Sequence, residues 1–207
     1  LGVACIIFLL WDANIYCIVY GSIARGDTSK TSDIDIYIQT PYSPTLIEAT
    51  LEAADVRTQR RKIIQATPSY AAKAYIYIDE KNGYSFPLVS LRQSEEDFTG
   101  FAGRLPYQEL KANTRVPGVN KELKLIEPNE TGHIETPIQG IEGIVAKKLG
   151  IDTRIVNQRI RTLQRRNKVG RTGVYINRAL APDESIGAVF NEIVKSNPAI
   201  RRRLRKN

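Results

Sequence analysis

The chain has 207 residues and a mass of 23.2 kDa, enough for one large or two small domains, each with its own core. With 42% hydrophobic and 25% charged residues it has the composition of a soluble globular protein, which excludes wholesale disorder. The net charge of +8 and a pI near 9.5 point to an anionic partner.

The run from Gly2 to Trp11 is apolar on all sides. At about ten residues it is too short to span a bilayer, and it lacks the basic lead of a secretory signal, so it predicts a buried helix packed on a sheet and no membrane partner. Cys5 and Cys17 lie in apolar surroundings without metal-ligand spacing, as expected of buried, reduced thiols in a cytoplasmic protein.

The chemistry concentrates between Tyr16 and Gln39. Two apolar, β-branched runs, Ile15–Tyr20 and Ile34–Ile38, predict strands joined by a polar loop. Asp33 and Asp35 open the second strand two residues apart, so their carboxylates share one face while Ile34 and Ile36 face a core. Two carboxylates on one face repel each other unless a divalent cation lies between them, and hard oxygen ligands with room for phosphate and water suit Mg²⁺. Upstream, Gly21 lets the backbone approach a ligand, Ser22 offers a hydroxyl and its N–H to a phosphate, and Arg25, followed by Gly26, can neutralise triphosphate charge.

This combination, Gly21-Ser22, Arg25-Gly26 and then Asp33-Ile34-Asp35, resembles the signature of the DNA polymerase beta-like nucleotidyltransferase superfamily. The string YGSIARGDTSKTSDIDIYI further resembles an archaeal group in which that domain precedes a DNA-binding type of helix-turn-helix. The resemblance implies an α/β (α+β) nucleotidyltransferase fold with a mixed sheet, a nucleoside triphosphate substrate and Mg²⁺ as cofactor. It also implies a third carboxylate on a later strand, for which Asp79 is the first candidate and Glu80 the second.

Beyond the second strand, Thr45 with Glu48 three residues on predicts a capped helix carrying Leu46, Ile47, Leu51 and Ala54. The basic cluster of Arg57, Arg60, Arg61 and Lys62 reads as a solvated edge or part of a nucleic-acid path. From Ala71 to Leu91 two β-rich runs flank Asn82-Gly83, a strong hairpin signal. Ser94 to Phe101 predicts a short helix with acids near its N-terminus. Residues 104–137, rich in Pro and Gly, read as a structured connector that holds the lone His133, a linker residue rather than a catalyst.

Residues 138–182 read as a winged helix-turn-helix. Ile141, Ile144, Val145 and Leu149 mark one helix, Gly150-Ile151-Asp152 a turn, Val156, Ile160 and Leu163 a second helix, and Val169 to Ile176 a wing hairpin. Between Thr153 and Pro182 there is no acid, while Arg154, Arg159, Arg161, Arg165, Arg166, Lys168, Arg171 and Arg178 are basic. These eight charges match the net charge of the whole chain, so the rest sums to zero. Nucleic acid, DNA ahead of RNA, is the expected partner, with Arg154, Asn157, Gln158 and Arg161 facing bases and Arg165, Lys168 and Arg171 facing phosphates.

Residues 183–207 complete the chain with a helix over Ser185 to Val194 and a basic tail of Arg201, Arg202, Arg203, Arg205 and Lys206. The expected domains are thus 1–103, 104–137, 138–182 and 183–207. The expected activity is nucleotidyl transfer to a hydroxyl acceptor. Two alternatives stand beside it: an inactive nucleotide-sensing DNA-binding regulator, and a protein-modifying transferase of the antitoxin type.

Overall fold

The structure is a computed structural model that describes residues 3–30, 32–170 and 172–205, with side chains from residue 7 onward. Lys206, Arg171 and the side chain of Cys5 lie outside the described residues. In chain order come α1 (Val3–Asp12), β1 (Cys17–Tyr20), α2 (Ser22–Arg25), β2 (Ile34–Ile38), α3 (Pro44–Ala53), β3 (Arg60–Gln65), β4 (Lys73–Tyr77), β5 (Asn82–Pro87) and α4 (Gln93–Ala102). Then follow β6 (Arg104–Pro106), α5 (Tyr107–Lys111), β7 (Gly118–Val119), β8 (Lys124–Asn129), β9 (Gly132–Pro137), α6 (Glu142–Leu149), α7 (Thr153–Val169), β10 (Ile176–Ala179), α8 (Ile186–Ser196) and α9 (Pro198–Arg205). Among the described residues no helix is long and apolar enough to cross a membrane.

The chain divides into two compact units, the first made of Leu1–Cys17, Asp33–Leu91 and Gly173–Asn207, the second of Ile18–Ser32 and Arg92–Thr172. In the first unit the strands run in the order β10-β3-β4-β5-β2. β2 and β5 are parallel, and β5, β4, β3 and β10 pair antiparallel in turn, so the sheet is mixed, as expected. Alternation gives one face Ile36, Ile38, Tyr84, Phe86, Ile76, Ala74 and Ile63, each at most 1% exposed. α8 packs against β3 and α3, and α3 against α1. Burying one such aliphatic or aromatic side chain contributes about 1.5–3 kcal/mol, so this face holds the unit together.

Local details correct several expectations. The helix expected to be capped by Thr45 begins at Pro44, with Ser43 as its cap residue, because a proline at the first helical position has no N–H to satisfy. Glu48, freed from capping, pairs with Arg61 at 2.7 Å. The supposed solvated edge at Arg60, Arg61 and Lys62 is β3, an inner strand between β4 and β10. The basic tail is the helix α9, with Arg203 only 3% exposed and its guanidinium donating to the Ser90 carbonyl at 2.8 Å.

In the second unit β1 pairs antiparallel with β6, and β7, β8 and β9 form a meander. The expected connector is not a linker. Val119, Leu123 and Leu125 share one core with Phe101 of α4, Val145 and Ala146 of α6, and Val156, Ile160 and Leu163 of α7. The helix-turn-helix pair is present, with Gly150 at φ 63° ending α6 and the Asp152 carboxylate accepting from the Arg154 N–H to cap α7. Among the described residues of the expected wing, Val169 to Ile176, no hairpin is present. Without an internal breaker α7 continues to Val169, and Ile176 begins β10, which pairs with β3 of the first unit's own sheet.

Candidate functional site

Asp35 is exposed inside β2, and Asp33, also exposed, precedes it by two residues. The register fixes what surrounds Asp35 on that sheet face. Its partner on β5 is Gly83, whose partner on β4 is Tyr77, whose partner on β3 is Arg60. One row along, Tyr37, Ser85, Tyr75 and Lys62 align in the same way. No carboxylate other than Asp35 sits in these rows, and among the described residues no group of three His, Cys, Asp or Glu is placed to hold a metal.

The charge of Asp35 is felt across this face. Burial, then Tyr77 and then Asp35 push the Tyr75 phenol up to about 12, and burial with Asp35 raises Tyr77 against the lowering effect of Arg60. The Arg60 guanidinium lies 4.3 Å from the Tyr77 ring centroid, and the Tyr75 and Tyr77 rings stack at 6.2 Å and 14°. Sequence reading missed this aromatic and cationic surround. Tyr75 and Tyr77 lie two apart on β4 and so share one face, a spacing the sequence carried.

Asp79 sits in the turn between β4 and β5 and uses its carboxylate there. It accepts from the Lys81 and Asn82 backbone N–H groups at 2.8 Å each and from the Asn82 side-chain amide at 2.5 Å. These bonds, the Asn82 amide first, hold its carboxyl below the usual range. Its neighbour Glu80 is exposed. The turn also ties back to β2, since the Ile34 N–H donates to the Lys81 carbonyl at 2.8 Å.

In the second unit Gly21 and Gly26 bracket α2 at φ 82° and 83°, in the left-handed region that favours glycine. Gly21 donates its N–H to the Gly103 carbonyl at 2.9 Å, and Ser22 opens the helix. A Cβ at Gly26 would stand 2.4 Å from Arg115 Cδ. Arg25 does not face outward to a phosphate as expected. It is 5% exposed and donates to the Ala102 carbonyl at 2.6 Å and to Asp27 at 2.9 Å, so its charge fastens the Gly21–Gly26 turn to the end of α4.

On α7 the residues expected to face nucleic acid, Arg154, Asn157, Gln158, Arg161, Arg165 and Lys168, are exposed and recur every three or four positions, which makes one stripe along a helix about 25 Å long. Ile155, Val156, Ile160 and Leu163 occupy the buried side. Arg154 is held by Asp152, with Nε donating at 2.9 Å. Arg159 turns inward over the Phe98 ring at 4.7 Å, and Arg178, on β10, pairs with Glu184 at 2.5 Å. His133 is on β9 beside Glu135.

No curated protein and no solved structure matches the chain. Residues 9–85 match the family model described as Nucleotidyltransferase domain, and this segment, from the end of α1 through β5, is on that ground similar to the polymerase beta-like nucleotidyltransferases, whose general chemistry is nucleotidyl transfer.

Proposed function

We propose that the protein moves a nucleotidyl group from a nucleoside triphosphate to a hydroxyl acceptor, with Mg²⁺ held by Asp33 and Asp35. The observation that carries this reading is the pair of exposed carboxylates at the start of β2, inside the segment that matches the nucleotidyltransferase model. Two carboxylates leave most of an octahedral shell to phosphate oxygens and water, which suits Mg²⁺. When bound, the ion would supply positive charge to the phosphoryl oxygens as negative charge builds on them.

The chain's own groups would divide the remaining work. Ser22 would present its hydroxyl and backbone N–H to the triphosphate tail, with Gly21 letting the backbone approach it. Arg25 supports that turn from within rather than touching phosphate. The exposed stripe of α7 would hold nucleic acid, with Arg165 and Lys168 on phosphates and Asn157, Gln158 and Arg161 toward base edges.

A second reading has its own support. The sheet positions beside Asp35 are Gly83 and Tyr77, and Asp79 is engaged within its own turn, so a base for the acceptor hydroxyl is not in evidence among these residues. This favours binding of a nucleotide without transfer, as in a nucleotide-sensing regulator. Pyrophosphate release with Mg²⁺ and each nucleoside triphosphate, with duplex and single-stranded acceptors, separates the two. Release that disappears in Asp35→Ala supports transfer; no release from the wild type, alongside Mg²⁺-dependent nucleotide binding, supports the sensor.

A further inference from the structure

The sheet face that carries Asp35 has an unusual composition for a surface that holds carboxylates. Its strands lie about 4.8 Å apart, which puts Tyr77 about 10 Å and Arg60 about 14 Å from Asp35 along the same row. Tyr75 and Tyr77 present nearly parallel rings, half-buried, with Arg60 against one of them. Gly83 makes this possible. A Cβ there would stand 2.9 Å from the Ile76 carbonyl oxygen and 3.4 Å from Tyr77 Cδ1, so the missing side chain lets the ring lie over β5 toward Asp35.

The cations of the face add a second, independent sign. Arg61 points to the inner face and is satisfied by Glu48 and by the carbonyls of Ala181 and Pro182 at 2.8 and 2.9 Å. Arg60 and Lys62, one residue to either side, point to the Asp35 face and take part in no ion pair among the described residues. Lys73 lies on the same face, 4.5 Å from the Tyr37 ring. Flat rings bordered by cations over three strands match stacked bases joined by phosphates. A duplex does not expose its base faces, and a single nucleotide does not need cations spread so widely.

We propose that this face binds a single-stranded nucleic acid, with bases stacked on Tyr77 and Tyr75 and phosphates on Arg60 and Lys62, and that its terminal hydroxyl is the acceptor. The acceptor role rests on the transfer reading above. In that step the hydroxyl oxygen forms a bond to the α-phosphorus, the bond from that phosphorus to the pyrophosphate oxygen breaks, and the hydroxyl proton passes to water.

The test is equilibrium binding of a short fluorescein-labelled single strand of mixed sequence, beside a duplex of the same sequence and ATP with Mg²⁺. Tyr77→Ala is expected to weaken strand binding about tenfold and leave duplex binding unchanged, while Tyr77→Phe keeps the wild-type affinity. Arg60→Ala and Lys62→Ala are each expected to weaken strand binding and to reduce the steepness of its salt dependence by about 0.7. Should Tyr77→Ala fail to fold, Arg60→Glu and Lys62→Glu, both surface changes, carry the same expectation. Unchanged strand affinity in folded variants overturns the proposal. So does a loss confined to ATP, which would assign the rings to the base of the incoming nucleotide. Strand binding that survives in Asp35→Ala supports a platform separate from the carboxylates. Strand binding without any Mg²⁺-dependent nucleotide binding in the wild type would remove the transfer reading and leave the platform standing.

Discussion

The two faces of the first unit's sheet are built from the same strands and differ in almost everything else. On one face Ile36, Tyr84, Ile76 and Ile63 are each at most 1% exposed, and Arg61, a cation that points inward, meets Glu48. On the other, alternate residues of the same strands supply Asp35, Tyr77, Tyr75, Arg60 and Lys62. Strand periodicity thus separates a buried face from an exposed one at the spacing of single residues. Neighbouring substitutions should therefore have unlike effects.

The largest expected loss of stability comes from Ile36→Ala, about 2–5 kcal/mol by chemical denaturation, since a buried side chain leaves a cavity. Arg61→Ala should cost about 1–3 kcal/mol, because it leaves Glu48 partly buried without its partner. Asp35→Ala and Arg60→Ala, on the exposed face, should each stay within about 0.5 kcal/mol of wild type. Comparable losses from the two groups would break the contrast.

The smallest effect is spectroscopic. Asp35→Asn removes a negative charge that raises Tyr75 and Tyr77, so the midpoint of tyrosine ionisation, followed by ultraviolet absorbance, should fall. Because the folded value of Tyr75 lies near 12, above the ordinary value of 10.0, its neutral form favours the fold. That contribution is full below pH 10 and is lost as the pH rises toward 12.

Much of the inner face was legible in sequence. Ile34–Ile38 alternates cleanly and forms β2 with those bounds, and the β4–β5 hairpin expected at Asn82-Gly83 forms with its turn at residues 78–81, leaving Asn82 and Gly83 inside β5. β3 was hidden because Arg60, Arg61 and Lys62 mask the alternation, and it takes Glu48 on α3 and the carbonyls of Ala181 and Pro182 to make an inward arginine tolerable. β10 was hidden because its partner β3 lies more than a hundred residues away, while the glycines between Val169 and Ile176 imitate a hairpin. α9 looked like a tail because its arginines gave no sign that Arg203 would reach the Ser90 carbonyl. That Asp33 and Asp35 would be exposed together at the start of β2 was readable from spacing alone. Their aromatic surround was not, since it depends on the register of three strands, and Arg25 was misjudged because a guanidinium can bind backbone carbonyls as readily as phosphate.

The measurement that bears most directly on the account is calorimetric titration of the wild type and Asp35→Ala with a nucleoside triphosphate, with Mg²⁺ and without it. The account predicts nucleotide binding that requires Mg²⁺ and falls by about a hundredfold or more in Asp35→Ala, whose thermal unfolding matches wild type. Equal binding by the two proteins, or binding indifferent to Mg²⁺, would contradict it.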